Sequence, residues 1–135
     1  MKDLKDKVAV VTGGASGIGK TIAVAFAEVG ATVVIPDLDA EGAEETSREI
    51  ENLGQKSFSI ESDVANPDHV DRIFDNTLDE YGKIDILVNN AGTTHPAVSI
   101  LDLDLEYVDR IFAVDFKGLY LCSRRAGREM IRQNN

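Results

Sequence analysis

The chain predicts an α/β fold in which a parallel sheet carries helices on both faces. Strand-like apolar runs alternate with helix-patterned stretches along all 135 residues, with no long linker or low-complexity segment between them. The first run, Val8-Ala9-Val10-Val11, is continuous and mostly β-branched, as a strand buried on both faces requires. A βαβαβαβα order closes into such a sheet through right-handed crossovers. Residues 1–135 read as one domain, long enough to bury roughly two-thirds of its unfolded surface.

Taken in order, the first strand leads into Thr12-Gly13-Gly14-Ala15-Ser16-Gly17-Ile18-Gly19. Beyond it, Ile18, Ile22, Phe26 and Val29 recur on one face of a helix. Ala31 to Pro36 is a second strand, ending at Asp37. Asp39 can cap a helix that runs to about Leu53 and stops at Gly54. Lys56 to Glu61, with Phe58 and Ile60 alternating with polar residues, is the third strand. Asn66 caps the next helix, with Pro67 in its first turn, and Gly82 ends it. Its buried stripe is Val70, Ile73, Phe74, Thr77, Leu78 and Tyr81. Ile84 to Val88 is the fourth strand. Asp104 caps a last helix reaching about Arg132, with Val108, Ile111, Phe112, Leu119, Cys122, Ala126 and Met130 turned inward.

Composition narrows the function. The chain is 43% hydrophobic and 28% charged, as soluble globular proteins are. Its net charge of −10 opposes nucleic-acid binding, which needs a basic surface. No apolar run reaches the roughly 18 residues of a membrane span. The Met1–Asp6 start has no apolar signal core, which predicts a cytoplasmic protein. The single cysteine, Cys122, permits no internal disulfide and is read as a packing residue. No cysteine–histidine cluster suggests a metal.

Four motifs fall at the carboxyl ends of the four strands, where folds of this kind bind ligands. In the first, Gly13, Gly17 and Gly19 let a backbone lie against a ligand, and Ala15, Ser16 and Ile18 complete the turn. The helix start behind them offers unpaired N–H groups to a pyrophosphate. Asp37, 18 residues past Gly19, can accept both hydroxyls of an adenine ribose. It would repel a 2′-phosphate, and neither Leu38 nor Ser16 supplies a compensating charge, so NAD is favoured over NADP. Asp63 and Val64 can offer an acceptor and an apolar wall to adenine. Asn89, Asn90, Ala91 and Gly92 combine small residues, for close approach, with amides that tie loops together. Each motif alone has a plainer reading, as a tight turn, a solvated carboxylate or a turn cap. Their joint spacing carries the functional one.

On these residues the chain resembles the amino-terminal half of the short-chain dehydrogenase/reductase family. Thr12, Gly13, Gly17 and Gly19 match its TGxxxGxG turn. Asp37 matches its NAD-selecting acid, Asp63 its adenine-contacting aspartate, and Asn89 to Gly92 its NNAG motif. The resemblance spans essentially all 135 residues. It implies a Rossmann-type doubly wound sheet of order 3-2-1-4, a nicotinamide cofactor, and hydride transfer between an alcohol and a carbonyl. Sugars, steroids, fatty acyl groups and polyols are all compatible substrates.

Two departures stand out. The family's relay asparagine is Asp115 here, on the expected inward stripe, where a carboxylate needs a partner. That puts the relay role of Asp115 in doubt. The family's serine and Tyr-x-x-x-Lys have no counterpart, because Tyr81, Tyr107 and Tyr120 lack a lysine four residues on. Tyr120 and Arg124 have the spacing but lie on the wrong helix, and arginine does not replace lysine. They read as surface or interface residues. Against the family pattern the chain is expected to be truncated after the fourth strand and its long helix, and by itself to bind NAD weakly with little or no turnover. A stand-alone dinucleotide-binding module is the alternative, and a folded remnant that binds nothing is a third reading. The edge strand and the apolar line Phe112, Phe116, Tyr120 predict that the chain associates with itself or with its missing half, and the resemblance implies a homo-oligomer through the 104–132 helix. His95, in loop 93–101, is a candidate substrate contact or a merely exposed residue.

Overall fold

The computed structural model describes residues 3–134. Four parallel strands, β1 (Val8–Val11), β2 (Thr32–Asp37), β3 (Ser57–Glu61) and β4 (Ile86–Val88), stand in the order β3-β2-β1-β4. Three helices cross between them: α1 (Gly17–Glu28), α2 (Ala40–Asn52) and α3 (Pro67–Tyr81). The last helical stretch has three parts: α4 (Leu105–Ile111), a π-helical segment (Phe112–Gly118) and α5 (Leu119–Arg132).

The side-chain alternation of the strands divides the core in two. Val11, Val33 and Ile35 pack with Ala23 and Ala27 of α1 and Ala43 and Ile50 of α2. Val10 and Val34 pack with Ile73 and Phe74 of α3 and Cys122 and Ala126 of α5. The result is a helix–sheet–helix sandwich with β1 and β2 buried along their length. Burial pushes the Cys122 thiol up to about 12, in keeping with packing rather than reactivity. Among the described residues no helix is long and apolar enough to cross a membrane.

The helix caps follow the residues that predict them. Asp39 accepts from the Gly42 N–H at 3.0 Å. Asn66 accepts from Asp68 and His69, and α3 ends at left-handed Gly82. Asp104 stands at the start of α4 but makes no side-chain cap bond.

Three expectations need correction. Ile18 does not join the buried face of α1. It is 75% exposed, and the buried positions are Gly19, Ala23 and Ala27, whose small side chains let the helix lie close to the sheet. The fourth strand starts at Ile86, not Ile84. The Gln133 side chain holds the Ile84 backbone by two bonds of 2.9 Å, and the Asp85 carboxylate takes the Val8 N–H.

The third correction concerns the long helix. Val114, Gly118, Cys122, Ala126 and Glu129 are its buried line, Glu129 being paired with Arg132. Phe112 and Leu119 are exposed, and so is Asp115. The expected stripe assumed an α-helical period throughout. The wider π turns between Phe112 and Gly118 break that period, so Phe112, Asp115 and Leu119 fall off the buried line while Cys122 and Ala126 beyond them stay on it. At the end of that segment the helix runs close to Val64, whose side chain a Cβ on Gly118 would meet at 2.6 Å.

Candidate functional site

The carboxyl ends of the strands open into a cleft of about 380 Å³. Gly13 and Ser16 from the glycine turn, Asp37 and Leu38 after β2, and Asp63 and Val64 after β3 line it. Asn90, Ala91 and Gly92 after β4 close the other side, with Arg110 and Val114 over them. A larger, more open groove of about 670 Å³ lies at the opposite, amino end of the strands and contains none of the predicted site residues.

The turn after β1 is wired to both neighbouring strands. Thr12 N–H donates to the Val88 carbonyl at 3.1 Å and Gly13 N–H to the Pro36 carbonyl at 2.9 Å. Gly17 has φ +56°, and a Cβ there would stand in open space beside the helix start. A Cβ on Gly19 would collide with the Gly13 carbonyl and the Asn90 amide, so only glycine lets the turn close. Asp39 and Asn66 cap α2 and α3, and each of those helices carries an acidic residue in its first turn. Ser16 gives α1 no side-chain cap, and the first turn of α1 has no acid. Its leading N–H groups are therefore left for an anion from outside the helix.

Asp37 is held from two sides. Ala15 N–H donates to Oδ2 at 3.0 Å and Asp39 N–H to Oδ1 at 2.9 Å. A carboxylate has about four acceptor sites, so both oxygens keep room for a diol. The Asp63 carboxylate is likewise fixed, by Ala65 N–H on Oδ1 at 2.9 Å and Arg110 Nη1 on Oδ2 at 3.0 Å. Burial would raise its carboxyl, but the Arg110 hydrogen bond, the Ala65 N–H and the Arg110 charge outweigh it. They hold Asp63 below the ordinary value. Its backbone N–H donates to His69 Nδ1 at 3.0 Å.

Not every predicted site residue faces the cleft. Ala15 is buried behind it and acts through its N–H. Asn90 donates to the Thr12 and Gly13 carbonyls, both at 3.1 Å, and ties β4 to the glycine turn. Asn89 is outside the lining and exposed, donating instead to Ser123 Oγ at 2.9 Å. Asp115 is exposed and accepts the Thr93 N–H at 2.8 Å, so it fixes the loop after Gly92 from the π segment. Among the described residues, exposed His95 bonds only the neighbouring Pro96 carbonyl. Arg124 lies over the exposed Tyr120 ring at 6.0 Å. Sequence reasoning missed Arg110 altogether and took Thr12 only as part of a motif. Arg110 stands 47 positions from its partner, beyond any periodic signal.

Comparison with known proteins agrees with this geometry. The short chain dehydrogenase family model matches residues 7–135. Over 93% of its length the chain is 40% identical to cis-4-hydroxycyclohexanecarboxylate dehydrogenase of Sinomonas cyclohexanicum, covering 50% of that protein. Among solved structures, 3-ketoacyl-(acyl-carrier-protein) reductase from Brucella melitensis, complexed with NADH, superposes with a TM-score of 0.89 at 38% identity. That match covers 95% of this chain and 52% of the reductase. An NAD⁺-bound xylitol dehydrogenase superposes with a TM-score of 0.94 at 28% identity, over 98% of this chain and 51% of that one. The chain spans about half the length of the curated relatives it matches. Its fold, its strand-end motifs and these matches together make it a member of the short chain dehydrogenase family.

Proposed function

We propose that this chain is the cofactor-binding half of an NAD-dependent oxidoreductase that moves a hydride between an alcohol and a carbonyl. The observation that carries the reading is the anchored Asp37 carboxylate opposite the uncapped start of α1. The strand order supplies a direction. Pyrophosphate would lie on the turn after β1, the adenine ribose on Asp37 after β2, and adenine on Asp63 and Val64 after β3. The nicotinamide end would then fall toward Asn90 to Thr93 after β4. When bound, the nicotinamide ring takes up or releases the hydride.

The chain's own residues would bind and orient. Gly17 and Gly19 admit the pyrophosphate, and Asp37 accepts the ribose diol and repels a 2′-phosphate. Asp115 holds the loop at Thr93. None of Tyr81, Tyr107 or Tyr120 has a lysine four residues on, so the roles assigned to this chain are binding and positioning. The exposed apolar side chains Phe112, Phe116 and Tyr120 would be covered by a second copy of the chain. Calorimetric titration with NAD tests the reading. Saturable binding by the wild-type protein, lost with Asp37→Ala, supports it. Absence of heat at millimolar NAD would overturn it.

A further inference from the structure

We infer that Arg110 is a positioning residue that makes the cleft selective for a 6-aminopurine, by fixing the Asp63 carboxylate as an oriented acceptor. The inference rests on the proposed placement of adenine beside Asp63 and Val64.

Asp63 and Arg110 come from separate elements. Asp63 follows β3, Arg110 belongs to α4, and their side chains meet at 3.0 Å at the cleft wall. Oδ1 receives the Ala65 N–H and Oδ2 receives Arg110 Nη1, so the plane of the carboxylate is set by two donors. Each oxygen retains one acceptor site. The neighbouring strand end defines where the base must lie. Ser62 N–H donates to the Asp37 carbonyl at 2.8 Å, which sets Asp63 one strand outward from the ribose-binding carboxylate. A base leaving a ribose on Asp37 therefore runs toward Asp63.

An ionised carboxylate only accepts hydrogen bonds. Adenine presents a 6-amino donor to it. Hypoxanthine presents a 6-oxo acceptor at the same place, and lone pairs meet lone pairs. Discrimination of this kind depends on Asp63 staying ionised and held in plane. Without Arg110, burial acts on the carboxyl with one hydrogen bond and one cation fewer to oppose it, and Oδ2 loses its anchor. The pair is partly open to solvent, the Arg110 side chain being 40% exposed. A base laid over it would exclude water and strengthen the arrangement that recognises it.

The test compares NAD with nicotinamide hypoxanthine dinucleotide, by calorimetry on wild-type protein and the Arg110→Gln, Arg110→Lys and Asp63→Asn variants. The wild type is expected to prefer NAD by about tenfold, the scale of one charge-assisted hydrogen bond. Arg110→Gln should bring the ratio toward one while changing affinity for the hypoxanthine analogue less than about twofold. Arg110→Lys should restore part of the preference, and Asp63→Asn should lose it. A purely structural loss would weaken both ligands alike, leaving the ratio intact. Wild-type preference retained in Arg110→Gln, or in Asp63→Asn, overturns the inference and leaves NAD binding standing. Failure of the wild type to bind either dinucleotide overturns the proposed function and this inference together.

Discussion

Thr12 and Asn90, at the ends of β1 and β4, hold each other by reciprocal hydrogen bonds. The Thr12 hydroxyl oxygen accepts the backbone N–H groups of Asn90 and Ala91, both at 3.1 Å, while the Asn90 amide donates to the Thr12 carbonyl at the same distance. Thr12 is buried, so its acceptor cannot be replaced by water without rearrangement. Thr12→Val keeps the shape and strands the Ala91 N–H, while the Asn90 N–H keeps the Val88 carbonyl. It should lower stability by about 1–3 kcal/mol and weaken NAD binding through the displaced glycine turn. Urea denaturation reads the first effect, and an unchanged midpoint would show that the clasp is incidental.

The glycines of the turn should separate strain from space. Gly17→Ala forces a side chain to φ +56° without any collision, at a cost of about 1–2 kcal/mol. Gly19→Ala drives a Cβ into the Gly13 carbonyl and should cost more. Both should weaken NAD binding, the first by crowding the pyrophosphate and the second by opening the turn. Equal melting temperatures for the two variants would contradict this division.

Asp85 gives a pH signature. Burial acts to raise its carboxyl, but the Val8 N–H, the Lys83 hydrogen bond and the charges of Lys83 and Lys7 outweigh it. The folded value therefore lies below the ordinary 3.8. A depressed carboxylate contributes stability that is complete above the unfolded value and disappears as pH falls through the folded one. Asp85→Asn should be less stable than wild type by about 1–3 kcal/mol at pH 7, and the gap should close below pH 3.8. Chemical denaturation at stepped pH checks this, and a gap that widens toward acid would refute the sign.

The long helix leaves Phe112 at 65%, Phe116 at 69% and Tyr120 at 52% exposure on one side. A second copy covering that side would be repelled by a charge at its centre. Phe116→Glu should shift the protein to a smaller species in sedimentation velocity with little change in melting temperature. A wild-type protein that sediments as a monomer at high concentration would remove the basis for the interface.

Most of the scaffold is legible because it depends on short-range rules. Caps at Asp39 and Asn66 lie within three residues of the N–H groups they receive. The four strand ends carry the motifs that the glycine, aspartate and asparagine residues announce. Asp115 was misread because one π segment, invisible to a 3.6-residue count, rotates the helix. Ile18 was misread because periodicity says that a side chain is apolar, not that anything covers it. Thr12–Asn90 and Asp63–Arg110 are 78 and 47 residues apart, and pairs at that range leave no trace in local pattern.

The central claim is that Asp37, held by the Ala15 and Asp39 N–H groups, selects a dinucleotide with a free ribose diol. Competitive titration of NAD against NADP on wild type and Asp37→Ser tests it most directly. The account predicts that the wild type binds NAD at least about tenfold tighter, the scale of a lost charge-assisted hydrogen bond, and that Asp37→Ser abolishes that preference. Equal affinity of the wild type for both dinucleotides, or a preference that survives Asp37→Ser, would contradict it.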